Sequence, residues 1–175
     1  MFVDLEKDPR TEGPAVGDER TLLTASLRWQ RETLQLKCGG LDAEQLARRS
    51  VEPSTMSLLG LVRHMAEIER GWFREVMAGQ QTPRHYCSDD NRDGDFDGAV
   101  AESDVVAEAF RTWQDEIAFA DTFVAEAPDL DVTGVDPYLG EVSLRWVLIH
   151  MIDEYARHNG HADLLRERID GAIGQ

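Results

Sequence analysis

The segment SLRWVLIHMIDEYARHNGHADLLRER, residues 143–168, constrains this chain more than any other. It reads as one helix of about seven turns. On a helical wheel with Glu154 at zero, His150 falls at about -40°, His158 at about +40° and His161 at about -20°. Val147, Met151, Ala162, Leu165 and Ile169 fall between about +20° and +80°. Three imidazoles and a carboxylate therefore form a ridge that overlaps the apolar stripe. A carboxylate held beside imidazoles at a core edge is costly unless something pairs with it. A divalent metal is one partner that satisfies it. Glu154 and His158 stand at i and i+4 and project side by side, and a third protein ligand from another helix would leave coordination positions open.

That third ligand is sought in the remaining helices. The first is expected from Asp18, its N-cap, to the Gly39–Gly40 pair, with Glu19 in the first turn and Lys37 in the last, as the helix dipole prefers. Asp42 and Gln45 have the spacing of a capping box, which predicts a short extra helix. Ser57 caps a second long helix reaching about Ala78. Its stripe is Leu58, Leu61, Val62, Met65, Ile68, Trp72, Phe73 and Val76, and His64 lies on the flank of that stripe. A third long helix is predicted over about Glu102 to Glu126 from Val106, Phe110, Trp113, Ile117, Ala120 and Val124, ending before Pro128. The Asp129–Glu141 connection, with Gly134, Pro137 and Gly140, reads as irregular. Residues 1–17, punctuated by Pro9, Gly13, Pro14 and Gly17, read as an extended arm, and 18–175 as one domain.

The expected fold is therefore all-α: a four-helix bundle with a short extra helix and a long crossover between its second and third long helices. A chain of 175 residues, 42% hydrophobic and 30% charged, suits one domain with a substantial core. The formal net charge of -16 opposes nucleic acid and anionic membranes as partners. No apolar run approaches the roughly 18 residues of a membrane span. The first residues lack the basic-then-apolar order of a signal peptide, and the two cysteines, Cys38 and Cys87, do not look like a disulfide framework, although the sequence leaves a bridge between them open. A cytoplasmic protein is expected.

Three groups carry chemistry. His64 with Glu154 and His158 gives two nitrogens and one carboxylate, a set that suits zinc first and also Fe(II), Mn(II) or Ni(II). The competing reading is a polar cluster in which Glu154 pairs with Arg63 or Arg157. His161, one turn beyond His158, reads as a fourth ligand, an orienting partner or a proton acceptor, and His150 as a core-edge histidine. The second group, Asp93 to Asp104 within the acidic 80–98 loop and beyond it, spaces acids like a calcium loop. It has Asp104 where Glu is usual and no entering helix, so an acidic helix-capping loop is the plainer reading. The third is the cysteines. Cys38 lies at a helix C-terminus and Cys87 among acids, and neither setting favours a thiolate.

Two blocks, SLLGLVRHMAEIERGWF at 57–73 and VSLRWVLIHMIDEYARHNGHADLLR at 142–166, resemble the DinB-like metalloprotein superfamily, and within it the actinobacterial mycothiol-dependent S-transferases. The resemblance spans roughly 18–172. It implies a four-helix bundle with a divalent metal held by one histidine of the second helix and two ligands of the fourth, matching His64, Glu154 and His158. Family members commonly have His-x-x-x-His on the fourth helix. Glu154 replaces the first of these, as in the similar mycothiol-dependent maleylpyruvate isomerases, which carry a further C-terminal domain with a catalytic arginine. This sequence ends at Gln175, so isomerase activity is not expected.

The resemblance implies a metal-dependent S-transferase in which the thiol of mycothiol is activated for attack on an electrophilic small molecule, with His161 moving a proton and Trp72 or Tyr155 lining the substrate pocket. It also implies a homodimer, as in many members. A metal-dependent hydrolase and a non-catalytic metal-binding stress-response bundle are the alternatives.

Overall fold

The computed structural model describes residues 8–174. Among them the chain forms α1 (Glu19–Cys38), α2 (Ala43–Ala47), α3 (Leu58–Glu69) with a π-helical continuation (Arg70–Met77), α4 (Gly94–Asp97), α5 (Ser103–Glu126), a hairpin of β1 (Thr133–Asp136) and β2 (Gly140–Ser143), and α6 (Leu144–Asp170). Side chains foreseen as caps start the helices. Asp18 accepts from the Thr21 amide, Asp42 and Gln45 close a capping box, and Ser57 and Ser143 accept from Gly60 and Trp146. Each such cap is worth about 1 kcal/mol. Of the predicted arm, residues 1–7 lie outside the described residues. Residues 8–17 have no helix or strand and lie along α1, with the Arg10 guanidinium over the Trp29 ring.

The fold is mostly helical. α1 packs chiefly on α6, α3 chiefly on α5, and α3 also meets α6. Leu34, Leu58, Leu61, Met65, Phe73, Trp113, Leu148 and Met151 meet in the core. A polar network crosses this core and takes a member from each long helix. Arg31 of α1 grips Glu69 of α3 through two 2.7 Å hydrogen bonds and reaches Asp121 of α5 with a third. The Tyr155 hydroxyl of α6 donates to Glu69 at 2.7 Å and accepts from the Trp113 indole of α5 at 2.7 Å. Glu69 is fully buried and receives three donors, the condition under which a buried carboxylate is tolerated.

Two connections are more ordered than their sequence predicts. The Asp129–Glu141 link holds the two-stranded hairpin, so the chain is not purely all-α. Its strands pair antiparallel from Thr133 with Ser143 to Asp136 with Gly140. Each has four residues, too few for a visible alternation. The turn is fixed by the Asp136 side chain, which accepts from the amides of Tyr138 and Leu139 at 2.9 and 2.8 Å.

The acidic 80–98 connection is bound down along α3 and its π-helical continuation. Glu67 accepts from the amides of Tyr86 and Cys87 at 2.6 and 3.1 Å. Arg63 stacks over the Tyr86 ring and donates to the carbonyls of Asp95 and Gly94. Arg74 and His85 both bond Glu116 of α5. Gly60 permits the close approach of α4, because a Cβ there would come within 2.6 Å of the Phe96 ring. A Cβ on Gly94 would collide with the Tyr86 carbonyl. The acids that resemble a calcium loop diverge. Asp95 turns inward to His64, whereas Asp97 pairs with Arg49 at the surface.

Candidate metal centre

α3 and α6 bring His64, Glu154 and His158 to one place. One donor atom from each lies within 4.8 Å of the others, and all three residues are half-buried. The His64 and His158 rings meet edge-on with centroids 4.8 Å apart. On α6, the i,i+4 spacing sets His158 Nε2 3.6 Å from Glu154, and His150 Nε2 lies 3.8 Å away on the other side. Both separations exceed hydrogen-bond length, so Glu154 faces two imidazoles without a close donor. The competing arginine partners are engaged elsewhere: Arg63 with the 94–95 carbonyls and Arg157 with Asp153.

The ring nitrogens have assignable roles. His64 Nδ1 lies 2.8 Å from Asp95 Oδ2, and the carboxylate can only accept, so Nδ1 carries a proton and Nε2 is the nitrogen left for a cation. His158 Nδ1 lies 3.3 Å from His161 Nδ1, which leaves its Nε2 toward Glu154. Burial, helped by the neighbouring His64 and His161, lowers the His158 pKa to about 4. At neutral pH it is an uncharged base. Two imidazoles and a carboxylate without a close donor form a set that fits a divalent cation, with an outer carboxylate already on His64.

The remaining candidates separate. His161 stands behind His158, in the place of an orienting partner. Trp72, on the π-helical segment, meets the edge of His150 at 4.8 Å and Trp146 at 5.3 Å, while Trp146 and His150 stack in parallel at 4.9 Å. Trp72 thus reaches the triad through His150. Tyr155 does not face this site. It has 0% exposure, with its hydroxyl spent on Glu69 and Trp113. Burial first and then the Glu69 charge push its pKa well above the ordinary value. Neither thiol is activated. Burial raises Cys38 to about 12, and burial together with the Asp95 charge raises Cys87.

Sequence reasoning missed two residues at the site. Asp95 sits far from His64 in sequence, and nothing local distinguishes it from its acidic neighbours. Trp146 was legible: one turn before His150, it extends the same α6 ridge to about -80° on the wheel.

Comparisons with known proteins bear on the fold and the family. The crystal structure of a conserved protein from Enterococcus faecalis is similar with a TM-score of 0.59 at 15% identity, covering 89% of this chain and 99% of that one. At that identity the likeness concerns the fold alone. No functionally curated protein matches the sequence. Among the described residues, no helix is long and apolar enough to cross a membrane. The family model for mycothiol-S-transferase matches residues 22–171, a span that holds α3, α6 and the whole His64–Glu154–His158 cluster. The chain therefore belongs to the mycothiol-S-transferase family, a DinB-like family.

Proposed function

We propose that this protein is a metal-dependent S-transferase that joins a low-molecular-weight thiol, mycothiol, to an electrophilic small molecule, with the long helices arranged as a four-helix bundle. One observation supports it above the rest: two imidazoles and a carboxylate converge from separate helices, within 4.8 Å, in a chain of this family. His64, Glu154 and His158 would hold a divalent cation, zinc before nickel, manganese or iron by donor type. Such a cation lowers the pKa of a thiol it holds, so that sulfur is nucleophilic at neutral pH.

The chain's own residues do the rest. Asp95 keeps the His64 proton on Nδ1, and His161 holds the Nδ1 edge of His158, so both Nε2 atoms face the centre. The thiol would give up its proton before attack, and as the C–S bond forms a strained ring or activated double bond of the electrophile would open and take a proton up in its place. The half-buried His161 is the proton acceptor at the outer edge of the ridge. Trp72, with Trp146 and His150 packed beside it, offers an apolar wall for the electrophile. Tyr155 contributes to the fold instead.

The test is thiol transfer by the purified protein with mycothiol and a chromogenic electrophile, before and after chelation and metal return. Turnover that requires both mycothiol and metal supports the reading. No turnover with any thiol overturns it, and metal-dependent ester or amide hydrolysis without thiol would point to a hydrolase.

A further inference from the structure

The acidic 80–98 connection has no counterpart in the triad chemistry, yet it ends on the triad. It leaves the π-helical segment, returns along α3 and forms the single turn α4, which carries Asp95 against His64. Asp95 is 4% exposed although it lies in a stretch of acids that mostly face solvent. Its Oδ2 bonds His64 Nδ1 at 2.8 Å, and its Oδ1 accepts from the Phe96 amide at 2.9 Å. The turn is held by groups outside the triad. Arg63 donates to the Asp95 carbonyl at 2.8 Å, and the Phe96 ring lies 5.4 Å from the His64 ring. One turn further along α3, Glu67 anchors the amides of Tyr86 and Cys87.

We propose that Asp95 is the positioning residue of the metal centre and that the docked 80–98 connection, anchored by Glu67, sets the metal affinity through it. The inference rests on the metal reading given above. Its physical basis is geometric. A carboxylate fixed on Nδ1 selects one tautomer of His64, holds the ring plane and raises the basicity of Nε2 toward a cation. The carboxylate is supplied by a loop, so its position depends on the loop's own anchors. Glu67, one helical turn from His64 and outside the triad, thereby becomes part of the affinity.

Zinc affinity of the full chain, measured by competition with a chromophoric chelator, tests this. Asp95→Asn keeps the shape and removes the charge, and weakens binding about 10–100-fold, the usual cost of losing an outer carboxylate partner. Asp97→Asn removes an equal charge two residues away, on the surface pair with Arg49, and changes affinity by less than about twofold because that charge is screened. Glu67→Ala weakens binding in the wild-type background and adds nothing in the Asp95→Asn background, since both act through one contact.

A readout without metal accompanies these. The ring 15N shifts of His64 in the metal-free protein report the Nδ1–H tautomer, and Asp95→Ala moves them toward the mixture of a free imidazole. Wild-type affinity retained in Asp95→Asn overturns the inference, as does an equal loss in Asp97→Asn. Additive losses in the Glu67–Asp95 cycle overturn the coupling to the loop. A wild-type chain that binds no zinc, nickel, manganese or iron overturns the metal reading together with this inference, whereas tight wild-type binding with indifferent variants overturns this inference alone.

Discussion

Two carboxylates on facing helices, Glu69 of α3 and Glu154 of α6, have opposite surroundings. Glu69 is sealed in the core and saturated, with two bonds from Arg31 and one from Tyr155, all at 2.7 Å. Glu154 has a 20% exposed side chain, and its nearest imidazole nitrogens stand off at 3.6 and 3.8 Å. The first arrangement is complete within the protein and serves cohesion. The second is incomplete within the protein and has the composition of a cation site. The two also differ in burial, but depth alone does not make a cation site. What separates them is whether the protein supplies the carboxylate with close donors.

The largest expected effect breaks the first region. Glu69→Ala leaves Arg31 buried without its main partner and should cost about 3–5 kcal/mol, read by urea unfolding. In the metal-free protein Glu154→Ala should cost less than about 1 kcal/mol, since it removes no close hydrogen bond. Comparable losses for the two would erase the contrast. The same pair should reverse for metal. His64→Ala or Glu154→Ala should weaken zinc binding more than about 100-fold, beyond what loss of an outer partner costs. Tyr155→Ala is confounded by the cavity it would leave, so Tyr155→Phe is the informative change. It should cost about 1–3 kcal/mol of stability while metal affinity holds. A raised KM for thiol at unchanged stability would return Tyr155 to the site.

The smallest effect is on pH dependence. His158 has a folded-state pKa of about 4, below its unfolded value of about 6.5. Between those values the unfolded chain binds the proton first. Its contribution is therefore complete above about pH 6.5 and is lost as pH falls toward about 4. The metal-free protein should lose stability over that window, and His158→Gln should flatten the slope. An unchanged slope would place the loss on other groups.

Much of this was legible in the sequence because it is local. The caps Asp18, Asp42, Ser57 and Ser143 and the α6 ridge depend on residues within a turn or two of one another, and helical periodicity reports such neighbours directly. His64 was legible as a flank position, and the structure brings it to Glu154 and His158 as the wheel anticipated. What escaped depends on contacts distant in sequence. Asp95 reaches His64 only because Arg63, Glu67 and Gly60 seat the connection on α3. The resemblance suggested Tyr155 as a pocket residue, but one step along the helix from Glu154 turns its side chain by about 100°, here into the Glu69 network. The hairpin was hidden by the shortness of its strands and by a turn set by one side chain, Asp136.

Anomalous X-ray diffraction at the zinc edge, from crystals of the protein grown with zinc, tests the central claim most directly. A single strong peak is predicted among His64, Glu154 and His158, and it should vanish in His64→Ala crystals grown the same way. A saturating zinc concentration that leaves this triad empty, or fills a different place on the molecule, contradicts the account.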